Sequence, residues 1–87
     1  MARVFIPATM RTLAGGRDSV EANGRNVREV INDLERQFPG MKDRLCEGDS
    51  LRPGLAVAIG GSVSALGLLQ RVDLDSEVHF LPAMAGG

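Results

Sequence analysis

The residues with the clearest chemical capability are the last two, Gly86 and Gly87. A carboxylate carried on two residues without Cβ atoms can thread a narrow channel and take backbone angles closed to other residues. A bulky final side chain would block that approach. A free carboxylate is a poor acyl donor, so its use requires a partner that converts it to an acyl adenylate with ATP, which supplies a good leaving group. Attack by sulfide or a persulfide then leaves a thiocarboxylate, whose sulfur is ionised near neutral pH and nucleophilic. None of these steps needs a catalytic side chain in this chain, nor a cofactor bound to it.

The other reactive side chains read as structural. His79 is the sole histidine, and without a second His or a nearby Cys it cannot assemble a metal site of ordinary ligand count. It reads as a surface strand residue. Cys46 is the sole cysteine, so it has no partner for an intramolecular disulfide. It reads as a packing contact beyond the helix. Gly15-Gly16 and Gly60-Gly61 are turn pairs, because neither opens a helix at the spacing of a phosphate-binding loop. Arg11 and Arg17 read as solvated loop charges, with contact to an acidic partner near the tail as the alternative.

Composition narrows the classes further. The 87 residues are 44% hydrophobic with three Phe and no Trp or Tyr, which predicts one domain with an aliphatic core. Ten basic and eleven acidic residues give a net charge of -1, and the arginines are scattered, which argues against nucleic-acid binding. No apolar run approaches the roughly 20 residues of a membrane span, and the N-terminus does not follow the plan of a signal peptide. With one cysteine, the expectation is a cytoplasmic protein with no membrane partner.

The elements that must position the diglycine follow from pattern. Arg3 to Ile6 is strand-prone, with Val4 and Ile6 on one face and Phe5 on the other, and Pro7 closes it. A long connection with Gly15-Gly16 at its tip leads to a second strand over Asp18 to Ala22, with Val20 inward. Asn23-Gly24 is a turn, and Asn26 followed by Glu29 predicts a capped helix beginning near Val27. Val27, Val30, Ile31, Leu34 and Phe38 make its apolar stripe. Arg28, Glu29, Asn32, Asp33, Glu35 and Arg36 take the wet side. Pro39-Gly40 stops it, and a short helical turn follows at Met41 to Leu45.

Residues 47 to 54 are expected as loop. Leu55 to Ile59 is assigned as a central strand, and Gly60-Gly61 suits a type I′ hairpin. Leu66 to Val72 has no clear period. Asp73 to Ser76 is a polar turn before a final strand, in which Val78 and Phe80 alternate with His79 and Leu81 until Pro82 ends it. Two strands, one main helix and further strands imply an α+β chain: a mixed sheet curled over a single helix, the ubiquitin-like β-grasp. The expected organisation is a domain over residues 1–82 and a flexible tail over 83–87. Phe5, His79 and Leu81 face away from the helix, near the tail, and form a candidate docking patch for a partner.

Three segments coincide in order: the ending P-A-M-A-G-G, the run D-x-D-x-x-V-x-F-L-P from Asp73 to Pro82, and the early I-P-x-x-x-R-x-L-A-G-G. Together they resemble the ThiS/MoaD family of sulfur carriers over nearly the whole chain. The resemblance implies a β-grasp fold, activation by an adenylyltransferase of the ubiquitin-activating type, and a C-terminal thiocarboxylate. Gly87 would carry the sulfur and Gly86 would give access to it. The early segment, the helix start V-R-E-V-I and the tail are most similar to carriers that feed a cysteine-synthase-type enzyme. Gly60-Gly61 stands where many relatives have asparagine-glycine, a departure that keeps the turn.

Three classes of function stay open on the sequence. One is a sulfur carrier for cysteine, molybdopterin or thiamine biosynthesis. A second is the small subunit of molybdopterin synthase, its tail inserted in the large subunit. The third is a ubiquitin-like modifier or binding module without sulfur transfer.

Overall fold

The computed structural model of the chain describes residues 1–82. Valine and phenylalanine spacing sets the first and last strands, β1 (Ala2–Phe5) and β7 (Glu77–Pro82), which lie side by side and parallel. Between them in sequence come β2 (Ser19–Ala22), α1 (Val27–Gln37), α2 (Met41–Leu45), β3 (Cys46–Glu47), β4 (Ser50–Leu51), β5 (Leu55–Ile59) and β6 (Ser62–Val63). The main sheet runs β2-β1-β7-β5-β6, with every pairing antiparallel except β1 with β7. This is the mixed β-grasp sheet on one main helix that the pattern predicts.

The helix starts where its cap requires. Glu29 N–H donates to Asn26 Oδ1 at 2.9 Å, and Glu29 Oε1 accepts the Arg25 N–H at 2.8 Å. Both halves of a capping box are therefore made, the second one residue earlier than the usual reciprocal partner. Val27, Val30, Ile31 and Leu34 are fully buried, each worth roughly 1.5–3 kcal/mol in transfer terms. They pack onto Val4, Ile6, Val57, Val78 and Phe80 from the sheet, and Met41 and Leu45 of α2 extend the same core. Phe38 lies just past the last turn of α1 and is half-buried against that core.

Gly60 and Gly61 both take positive φ, 58° and 89°. That is the requirement of a two-residue type I′ turn, and it joins Ile59 directly to Ser62 across the β5–β6 hairpin. The long β1–β2 connection carries a 3-10 turn over Ala8–Met10 and inserts Met10 and Ala14 into the core, while Leu13 is only partly covered.

Three expectations are corrected, and one segment left open is assigned. Residues 47–54 are not all loop, because Cys46–Glu47 and Ser50–Leu51 form a small antiparallel hairpin. Leu55–Ile59 is a strand, but the central strand is β7, since β6 covers only Ala58 and Ile59 on the outer side of β5. Leu66 to Val72 forms a 3-10 turn at Gly67–Leu69 that buries Leu68 and Val72 and leaves Leu66 and Leu69 exposed. Asp33, expected on the wet side of α1, is 6% exposed.

The reason for the last is a polar clasp. Asp33 Oδ2 accepts the Asn23 N–H at 2.9 Å and Gln37 Nε2 at 3.0 Å, and Oδ1 accepts from Arg36 Nη2. Gln37 Nε2 also donates to Glu21 O at 2.9 Å. The carboxylate thus ties α1 to the end of β2, and these donors hold its pKa below the usual aspartate range, the Asn23 N–H first among them.

Candidate functional site

With Val4, Val57 and Val78 turned toward α1, strand alternation directs their neighbours to the opposite face of the sheet. Register aligns these neighbours in rows. One row crosses all five strands through Ser19, Phe5, His79, Ala58 and Val63. The row nearer the end of β7 sets Leu81 opposite Ala56. The row at the start of β7 is charged, with Glu21, Arg3 and Glu77 abreast. The outer face is therefore apolar on the side where β7 leads toward the diglycine and ionic on the far side.

Phe5 and His79 meet at the middle of this face. Their rings are stacked, with centroids 4.2 Å apart and planes inclined by 5°. His79 Nε2 also lies 3.6 Å from Glu77 Oε1 on the same strand, a contact at ion-pair distance when the ring is protonated. Leu81, two residues along β7, is 36% exposed and Val63 is 66% exposed, so apolar surface continues to either side of the stacked pair.

The structure thus brings Phe5 and His79 into direct contact and puts Leu81 on the same face. Gly86 and Gly87, and with them the expected tail over 83–87, lie outside the described residues. β7 can be followed to Pro82, which pairs with Leu55.

Cys46 is buried at the start of β3. Burial pushes its thiol pKa up, against the weaker pull of Lys42, Arg28 and Arg52, which favours the thiol over the reactive thiolate. Among the described residues no group of three His, Cys, Asp or Glu side chains could hold a metal ion, and no helix is long and apolar enough to cross a membrane. Arg11 is exposed and donates Nε–H to Ile6 O at 3.1 Å.

The ThiS family profile matches residues 4–87. The chain belongs to the ThiS family. It is 35% identical over 95 aligned positions to the sulfur carrier protein CysO of Mycobacterium tuberculosis, covering 97% of this chain and 96% of that one. Among solved structures, the Amycolatopsis orientalis BexX/CysO complex contains a chain 36% identical to this ThiS-family member, with a TM-score of 0.90 and full coverage of both. The structure of Mycobacterium tuberculosis CysO aligns with a TM-score of 0.88 at 29% identity, over 97% of this chain and all of that one.

Two features of the site were not read from the sequence. Ala58 and Val63 extend the apolar row, and only the register of β6 against β5 reveals it. The alternation of Ser62 and Val63 after the Gly60-Gly61 turn was the available signal. The tethered guanidinium of Arg11 had none, since nothing in the loop sequence specifies a bond to Ile6 O.

Proposed function

We propose that this chain is a sulfur carrier acting through the carboxylate of Gly87. The observation that carries the reading is the pairing of a Gly86-Gly87 ending with a family match that runs through residue 87. Similarity to CysO sulfur carriers over nearly the whole chain supports it. In this reading a ubiquitin-activating-type adenylyltransferase uses ATP to form the Gly87 acyl adenylate, releasing pyrophosphate. Sulfide displaces AMP to leave the thiocarboxylate directly, or a persulfide displaces it to leave an acyl disulfide, which a thiol cleaves to the thiocarboxylate with release of a disulfide. The thiocarboxylate then delivers sulfur to a biosynthetic enzyme, of the cysteine-synthase type by resemblance. This chain contributes the carboxylate and a docking surface, and the reacting side chains and any cofactor belong to its partners.

The outer face is the surface we assign to docking, with Phe5, His79 and Leu81 at its centre. An apolar patch beside the start of the tail lets a partner gain binding free energy from the domain while the reacting carbon is held elsewhere. A CysO relative has been solved in complex with a second protein, which supports a working life spent in such contacts.

The test is intact-mass measurement of the protein from its own cells, with fragmentation to localise any change. Replacement of one carboxyl oxygen by sulfur at Gly87 is the expected result. An unmodified terminus that also forms no adenylate with ATP and the activating enzyme of the same cells would sink the reading in favour of a β-grasp binding module.

A further inference from the structure

The two strands that flank β7 each lead to an arginine tied through Nε to a main-chain carbonyl, Arg11 beyond the end of β1 and Arg52 just before β5. On one side Arg11 holds Ile6 O at 3.1 Å, and Ile6 directly follows Phe5, the partner of His79. On the other side Arg52 holds Asp43 O at 2.6 Å. The Arg52 carbonyl accepts the Leu55 N–H at 3.0 Å, and Leu55 pairs with Pro82. A guanidinium fixed through Nε keeps its Nη groups for a second partner, in an orientation already restricted.

Of these charges, among the described residues, Arg52 is paired and Arg11 is not. Arg52 Nη1 is 3.6 Å from Glu47 Oε1, with both side chains well exposed. Among the described residues Arg11 has no carboxylate at ion-pair distance. Arg17 adds a third charge at this end, next to Asp18, whose carbonyl accepts the Ile6 N–H at 2.8 Å. From Pro7 through Arg17 there is no acidic residue.

The five residues after Pro82 can span at most about 18 Å when fully extended. An enzyme that takes the Gly87 carboxylate into its site must therefore press its surface against this end of the sheet. We propose that the pressed surface is acidic: the mouth of the partner's channel presents carboxylates to Arg11, Arg17 and Arg52, around the apolar contact made by Phe5, His79 and Leu81. The inference rests on the carrier reading. Rim charges of this kind govern encounter and register, and they are screened by salt.

The experiment is ATP–pyrophosphate exchange by the activating enzyme of the same cells, with the full chain as the varied substrate, from about 0.05 to 0.5 M salt. At low salt, KM for the chain should rise on the order of threefold for Arg11→Gln or Arg52→Gln and tenfold for the pair. The kcat should hold in each. KM of the unaltered chain should climb with salt while that of the double variant stays flat. Arg25→Gln, beside Leu74 at the far end of the molecule, should change neither.

Arg17→Glu makes no tether in the structure, and it gives the same readout should the double variant fail to fold. A wild-type KM and salt dependence in the double variant, or in Arg17→Glu, overturns the acidic rim alone. No exchange with the unaltered chain overturns the carrier reading and the rim with it.

Discussion

The imidazole of His79 lies flat on the ring of Phe5, one residue from the central strand and one from its parallel neighbour, with centroids 4.2 Å apart. Two half-buried rings so placed shield each other from water and rigidify the middle of the outer face. A double-mutant cycle of Phe5→Ala and His79→Ala, read by urea unfolding, should give a coupling of about 0.5–1.5 kcal/mol. Additivity of the two would show that the stack contributes nothing beyond area.

Removal of the diglycine should separate function from fold. Deleting Gly87, or replacing Gly86 with Phe, is expected to abolish adenylate formation while the thermal midpoint stays that of the unaltered protein. Loss of the cooperative transition in either variant would mean that the end of the chain is structural.

Asp33 makes stability pH-dependent in a defined direction. Its folded pKa lies below the ordinary value of 3.8, so the unfolded chain takes up a proton first as pH falls. The stabilisation is fully present above the unfolded pKa and is lost as pH falls through the folded one, below about pH 4. Asp33→Asn should flatten that acid limb. At pH 7, Asp33→Ala should cost about 1–3 kcal/mol, because it leaves the Asn23 N–H without its acceptor and the Gln37 amide with only Glu21 O. An unchanged acid limb in Asp33→Asn would assign the acid loss to other carboxylates, Glu35 first, whose pKa is also held down by the Lys42 and Gly40 N–H groups.

Gly24 is needed for space. A Cβ there would sit 2.5 Å from Val30 N and 2.9 Å from the Glu29 carbonyl carbon, both backbone atoms of the first turns of α1. Gly24→Ala should cost more than about 2 kcal/mol in chemical denaturation. A near-neutral result would mean that the β2–α1 turn can move away from the helix.

The Cys46 thiol should react with an aromatic disulfide reagent only as fast as the protein opens, and Cys46→Ala should leave sulfur loading at Gly87 intact. Loss of loading in that variant, with the fold retained, would make Cys46 a relay.

Much of this fold is written locally. The 3.6-residue recurrence from Val27 to Leu34, the Asn26–Glu29 cap and the alternation from Val78 to Leu81 each depend on neighbours in sequence, and each appears in the structure as read. What escaped is non-local or small. Strand order is a property of the whole chain, so the centrality of β7 could not be seen in residues 77–82. The two-residue strands β3 and β4 are too short to carry a period. Asp33 looks like any exposed helical carboxylate until the Asn23 backbone arrives over it. The outer-face placement of Phe5, His79 and Leu81 came from alternation alone, whereas Val63 and the Arg11 tether depend on register and loop geometry.

The parallel pairing of β1 with β7 has a consequence for the timing of synthesis. The last of the described strands is the one the sheet closes around, so β1 and β2 wait on one side and β5 and β6 on the other until residue 82 is available. The row from Phe5 to Val63 does not exist before then. In the carrier reading, a partner that grips this row and the diglycine together would therefore inspect, in a single contact, whether the molecule has finished folding.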